Sequence, residues 1–322
     1  MKKFTSLFLI FAFVLCAFSA CGNAASSTVS GANGDKLTIG LIQLVEHPSL
    51  DEIRTAFETE LASLGVNAEI KYQNAQGDMA NITTICNQFV GDNVDLIVAI
   101  TTPAAQGAAT AVDGTDIPVI FSAVTDPVAA ELVADLAKPN GNVTGTSDAI
   151  PTQKIFELAD ELTPGVTSYG FIYNLSEVNS VSVIAQAKAY LDAKGIAYEE
   201  ATVTTAADVK TAAETLIGKK VGAIFSPIDN TVASAMPALA DAAITAKVPV
   251  YVAADSMVAD GGLATVGINY TNLGKQTAQM AADVLNGKAI ADMPVQVLNE
   301  YSVTVNPETA AACGIDVSKY TK

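Results

Sequence analysis

A 322-residue chain with a formal net charge of −17 and no cluster of Lys or Arg is a poor partner for nucleic acid or anionic lipid, because nothing in it displaces phosphate counterions. With 50% hydrophobic and 16% charged residues, it carries enough apolar material for two domains with full cores. Aromatic residues make up 6% and Trp is absent, which weighs against a cleft built to stack sugar rings.

The first twenty residues read as a secretory signal: Lys2 and Lys3 precede the short apolar run FTSLFLIFAFVLCAF. Ser19 and Ala20 then stand before Cys21, as in a bacterial lipobox whose thiol accepts diacylglycerol, with Phe18 where that pattern has Leu. An ordinary signal cleavage would need a small residue in place of Phe18, so lipidation of Cys21 is expected. Residues 21–35, rich in Ser, Gly, Ala and Asn, then form a flexible tether, and two or three acyl chains hold the protein on a membrane. No later run is apolar and long enough to span a bilayer.

Beyond the tether the chain repeats itself. In residues 39–127, IGLIQL, an amphipathic stretch, AEIKYQNAQ, DLIVAITTP and IPVIFSAVTDP follow one another. In residues 169–255, YGFIYNL, another amphipathic stretch, IAYEEATV, VGAIFSP and VPVYVAADS come in the same order. A period of about 130 residues is far beyond solenoid repeats, so each copy is a domain. Alternating strands and helices imply parallel sheets with right-handed crossovers. The first helix is expected to start at a capping box of Ser49 and Glu52, to bury Leu50, Ile53, Phe57, Leu61 and Leu64, and to stop at Gly65. Asn179 or Ser180 can cap the matching helix of the second copy, which stops near Gly195. NGNVTGTSD lies between the copies and is a candidate crossing from one lobe to the other. After the second copy, GGLATVGINY, the helix TNLGKQTAQMAADVLNG and the extended MPVQVLNEYSVTVN call for two more crossings, with the helix on the first lobe and the last strand on the second. The expected division is 36–145 plus 266–293 for the first lobe and 146–265 plus 294–322 for the second.

Ligands of such sheets sit beyond the carboxyl ends of the strands, so the loops there carry the function. They hold no zinc-like His/Cys grouping, no dinucleotide or phosphate loop and no nucleophile elbow. The single histidine, His47, has no Cys or second His nearby, and no catalytic residue, metal or cofactor is assigned. Cys86 and Cys313 read as free thiols more readily than as a disulfide. A small zwitterion fits what remains. Thr101 and Thr102 end a strand, with Thr102 placed as N-cap and Pro103 opening the helix. Their hydroxyls, the free amides of Ala104 and Ala105 and the helix dipole make an anion site without a cationic side chain. Ser122 can add a donor. On the facing loops Asp229 and Asp255, with Glu46 at the first loop, offer carboxylates to an ammonium group, and Asn179 faces the same cleft. Tyr173 and Tyr270, near strand ends, can line a side-chain pocket.

LIQLVEHPSLDEIRTAF, YQNAQGD, AITTPAAQ, FSAVTDPV, NVTGTSD, SPIDN and GGLATVGINYTNLGKQTAQMA together resemble the substrate-binding lipoproteins of ABC transporters in the tryptophan/tyrosine-binding family. The resemblance covers nearly all of the chain past the signal. It implies a type I periplasmic-binding-protein fold: α/β, two doubly wound parallel-sheet lobes joined by a three-stranded hinge. It also implies an aromatic amino acid as ligand and a membrane permease and ATPase as partners; a monomer, anchored outside the cytoplasm through Cys21, is expected. By that likeness Thr102 and Ser122 would meet the ligand carboxylate and Asp229 or Asp255 its ammonium. A sugar- or nucleoside-binding lipoprotein of the same fold is the alternative.

Overall fold

The computed structural model describes residues 36–139 and 141–321, so the signal sequence, Cys21 and the tether lie outside the described residues. The first lobe winds through β1 (Leu37–Gln43), α1 (Pro48–Ser63), β2 (Ala68–Asn74), α2 (Met79–Gly91), β3 (Leu96–Ile100), α3 (Thr102–Ala111), β4 (Val119–Ser122) and β5 (Val143–Ser147). The chain continues with α4 (Thr152–Leu162), β6 (Ser168–Asn174), α5 (Val178–Lys194), β7 (Ala197–Val203), α6 (Val209–Gly218), β8 (Ala223–Ser226), α7 (Asn230–Ala233), α8 (Met236–Ala246), β9 (Val250–Val252), α9 (Asp255–Ala259) and β10 (Ala264–Gly267). It ends with α10 (Tyr270–Leu285), β11 (Gln296–Val297), β12 (Ser302–Val305) and α11 (Pro307–Cys313).

These strands form two six-stranded sheets, ordered β11-β5-β4-β3-β1-β2 and β12-β10-β9-β8-β6-β7. The central strands LIVAI (β3) and AIFS (β8) are buried along their whole length, as expected of parallel strands covered by helices on both faces. All pairings are parallel except β10 with β12, an antiparallel strand on the sheet edge. The two sheets run in the same order about their first strands, which is the duplication seen in the sequence.

Three segments cross between the sheets: 148–151 after β5, 268–269 after β10 and 298–301 after β11. Sheet membership moves the expected boundaries by a few residues. Thr146 and Ser147 belong to β5 of the first sheet, and Val266 and Gly267 to β10 of the second. Gln296 and Val297 pair with Thr146 and Ser147, so the final extended segment is shared between the sheets rather than given to the second. Helix α10 returns to the first lobe and lies along α1. Gly274 permits that approach: a Cβ there would come 2.4 Å from the Ile53 carbonyl oxygen.

Three helix starts differ from the local sequence signals. Helix α1 begins at Pro48 with His47 as its uncapped N-cap residue, because the proline takes the first helical position. The expected capping-box residues reach elsewhere: Ser49 Oγ lies 2.6 Å from Ser256 Oγ, and Glu52 accepts from the amide and hydroxyl of Thr271 at the start of α10. Helix α3 begins one residue early, with Thr101 as N-cap residue and Pro103 in the second position. Helix α5 begins at Val178, so Glu177, not Asn179 or Ser180, is its N-cap residue.

Candidate functional site

The loops after β1, β3, β4 and β5 of one sheet face those after β6, β8, β9 and β10 of the other. Between them lies a tight polar cavity with about 10 Å³ of free interior, room for about one water with the lobes apposed as they are here. Polar groups of contrasting kinds converge on it. Thr101 and Thr102 come from the first turn of α3, Thr125 from the loop after β4 and Asp148 from the first crossing segment. Tyr270 enters from α10, while Asn179, Asp229 and Asn230 come from the second lobe. Leu50, Ile228, Ala233, Ala254 and Met257 supply apolar wall.

Six buried polar atoms on this lining have no hydrogen-bond partner in the protein: Thr101 Oγ1, Thr102 Oγ1, Asp148 Oδ2, His47 Nδ1, Asn179 Oδ1 and the Tyr270 hydroxyl. An unsatisfied buried group costs about 1–3 kcal/mol, so six around one cavity mark it as a place where a polar ligand supplies the partners. Thr101 adds strain. Its φ of 94° and ψ of 159° fall in a region that is essentially reserved for glycine. The conformation is held by its amide donating to the Ser122 carbonyl and its carbonyl accepting from Ala105 N. That second bond occupies one of the two amides expected for the anion, and the free donors of the turn are those of Thr102 and Ala104.

Asp148 is 1% exposed. Burial pushes its carboxyl up to about 6, opposed by the Thr125 hydroxyl, which donates to Oδ1 at 2.8 Å. Burial also raises the Tyr270 phenol, with the neighbouring Asp148 charge acting in the same direction. Among the described residues, no Lys or Arg lines the cavity, and no group of His, Cys, Asp and Glu could hold a metal.

The expected site residues divide. Thr101, Thr102, Asn179 and Asp229 do line the cavity. Asp229, however, is the N-cap of α7, and both its oxygens are occupied by Asn174 N, Ser180 Oγ and Val232 N. Burial, and then repulsion from Glu177, raises its pKa. It reads as a structural carboxylate. Ser122 is fully buried in a hydroxyl cluster with Thr277 and Thr146, turned into the first lobe. Tyr173 is buried in the second lobe and donates to Glu200 Oε2 at 2.7 Å. Asp255 lies beside Gly267 at the hinge end of β10, where a Cβ on Gly267 would be 2.2 Å from its Oδ1. Glu46 is exposed. None of these last four is on the cavity wall. Asp148, Thr125, His47 and Asn230 were missed. In the sequence NVTGTSD reads as a crossing, although its Asp148 directly follows a strand of the same sheet, and His47 reads as lacking the neighbours that a metal or catalytic site needs.

The lobes touch around the cavity. Besides Ser49 with Ser256, Ser182 Oγ donates to Asp126 Oδ2 at 2.5 Å, and His47 Nε2 lies 3.4 Å from Asn230 Oδ1. Two duplicated lobes, three crossings and a polar cavity between them define the type I periplasmic-binding-protein fold. The chain belongs to the ABC transporter substrate binding protein family, which it matches over residues 38–320. It is 38% identical over 327 aligned positions to a tyrosine-binding protein of Clostridioides difficile strain R20291, covering 99% of this chain and 93% of the relative. Among solved structures, an ABC domain in complex with L-Trp from Streptococcus pneumonia is 40% identical, with a TM-score of 0.83 over 88% of this chain and 96% of that one. The ligand-free, open structure of a substrate-binding protein with adhesive properties from Clostridium difficile is also 40% identical and covers 88% of this chain and 97% of its own, yet its TM-score is 0.68. Equal identity with unequal superposition points to lobe disposition, and the contacts between the lobes here agree with an apposed arrangement.

Proposed function

We propose that the cavity captures one aromatic L-amino acid as its zwitterion and that the protein delivers it to an ABC permease and ATPase. The observation that carries this reading is the set of partnerless polar atoms on a wall without Lys or Arg. The hydroxyls of Thr101 and Thr102 and the amides of Thr102 and Ala104 suit the carboxylate, at a helix N-terminus that favours negative charge. Asp148 Oδ2 suits the ammonium, in place of Asp229 or Asp255. Leu50, Ile228 and Met257 offer apolar surface to a ring. The names of the tyrosine-binding relative and of the L-Trp complex support the aromatic class.

In this reading the ligand completes the contact between the lobes, which separate by hinge motion at the three crossings when it leaves. Lipidation at Cys21 would hold a monomeric receptor beside its permease, outside the cytoplasm. Calorimetric titration of the purified protein with the twenty amino acids, a sugar set and nucleosides is the test. One-to-one binding of an aromatic amino acid, with compaction by small-angle scattering, is expected. Binding of only a sugar or nucleoside would overturn the ligand class, and an unchanged scattering envelope would overturn closure.

A further inference from the structure

The strand order places the cavity's polar groups at two ends. Asp148 follows β5 and Tyr270 follows β10, both next to the hinge. His47 follows β1, three strands away from β5, and Asn179 and Asn230 follow β6 and β8 on the facing sheet. Three strand spacings are roughly 14 Å, so the two ends lie apart along the cleft, with Thr101 and Thr102 between them. If the amino-acid head sits on Asp148 and the two threonines, as proposed above, the ring extends toward His47 and Asn179.

The hydrogen-bond network sets what those two residues present. Asn179 Nδ2 donates to the Ile228 carbonyl at 2.8 Å and also lies near Glu177 Oε2. Both neighbours are acceptors, which fixes the amide orientation and leaves Oδ1, buried and partnerless, on the cavity side. Glu177 Oε2 likewise takes Asn230 Nδ2 at 2.7 Å, so Asn230 turns its Oδ1 toward His47 Nε2. That nitrogen therefore carries the proton. Burial lowers the His47 pKa, and in the neutral ring Nδ1 is then an acceptor without a partner.

We propose that His47 Nδ1 and Asn179 Oδ1 read a hydrogen-bond donor on the ligand ring, so that the site accepts a phenol or an indole and rejects a plain phenyl ring. A buried acceptor left unpaired by phenylalanine penalises that ligand, and sites built to bond a substrate O–H or N–H discriminate far more strongly than apolar pockets do. The inference rests on the amino-acid reading but is separable from it.

The test is calorimetry on the whole protein with L-tyrosine, L-tryptophan, L-phenylalanine and 4-fluoro-L-phenylalanine, which has nearly the shape of tyrosine without its donor. Phenylalanine and its fluoro analogue should bind at least about 100-fold more weakly than the better of tyrosine and tryptophan. In Asn179→Leu, and independently in His47→Phe on the half-buried loop, that ratio should fall about tenfold or more. Donor-free rings bound within tenfold of the donor-bearing ones would overturn the donor readout and leave the amino-acid reading standing. A wild-type ratio unaltered in both variants would overturn the assignment to His47 and Asn179. Binding of none of the four would end both readings.

Discussion

Replacing Asp148 with Asn should stabilise the ligand-free protein and abolish most of its response to ligand. The carboxyl is held at 1% exposure with one oxygen bonded to Thr125 and the other unpartnered. Its pKa is raised from 3.8 to about 6. A shift of about two units corresponds to about 3 kcal/mol of cost in keeping the charge buried. Because the folded-state pKa lies above the unfolded one, the native state holds the extra proton between these values. Ligand-free stability from this group is therefore greatest below about pH 4, falls as pH rises through about 6 and is level beyond. Asp148→Asn keeps the shape and the bond from Thr125 but has no charge to bury. Its ligand-free melting temperature at pH 7.5 should rise by several degrees, and the decline between pH 4 and 6 should shrink. Ligand binding should move the other way. Loss of a charge-assisted bond of about 1.5–3 kcal/mol weakens binding by roughly 10- to 150-fold. The wild type at a hundred times its dissociation constant should gain about 2.7 kcal/mol. Thermal melts at pH 5 and 7.5, with and without the best ligand, test all of this. A variant that melts no higher than wild type without ligand and binds with unchanged affinity would refute both the burial argument and the ammonium assignment.

Two further substitutions probe the site and its frame. Thr101→Gly should relieve about 1–3 kcal/mol of backbone strain, raising the urea midpoint while lowering ligand affinity, because the carboxylate loses a hydroxyl. Thr101→Ser keeps both strain and hydroxyl, so equal affinity of the Gly and Ser variants would remove the hydroxyl from the site. Gly274→Ala should destabilise the first lobe by about 1–3 kcal/mol, because the added methyl meets the Ile53 carbonyl where α10 lies on α1. An unchanged urea midpoint would mean that the helices can part without cost.

The sequence by itself determined the architecture. Apolar runs such as LIVAI and AIFS and the amphipathic stretches between them report burial, which depends on near neighbours along the chain, and their repetition announced two lobes. Helix α10 covers its apolar face against α1 of the first lobe. Thr101 and Thr102 were legible as a strand end running into a helix, although the helix begins one residue earlier than Pro103 suggests. Only the tertiary structure decided which polar residues belong to the cavity. Ser122 and Asp229 stand at strand ends as Thr101 does, yet Ser122 is engaged by Thr277 and Thr146, and Asp229 by Asn174 and Ser180. Asp148 keeps an oxygen free because only Thr125 reaches it. Periodicity and caps record local geometry. Whether a buried polar group is satisfied by the protein or left for a ligand is settled by partners tens to hundreds of residues away.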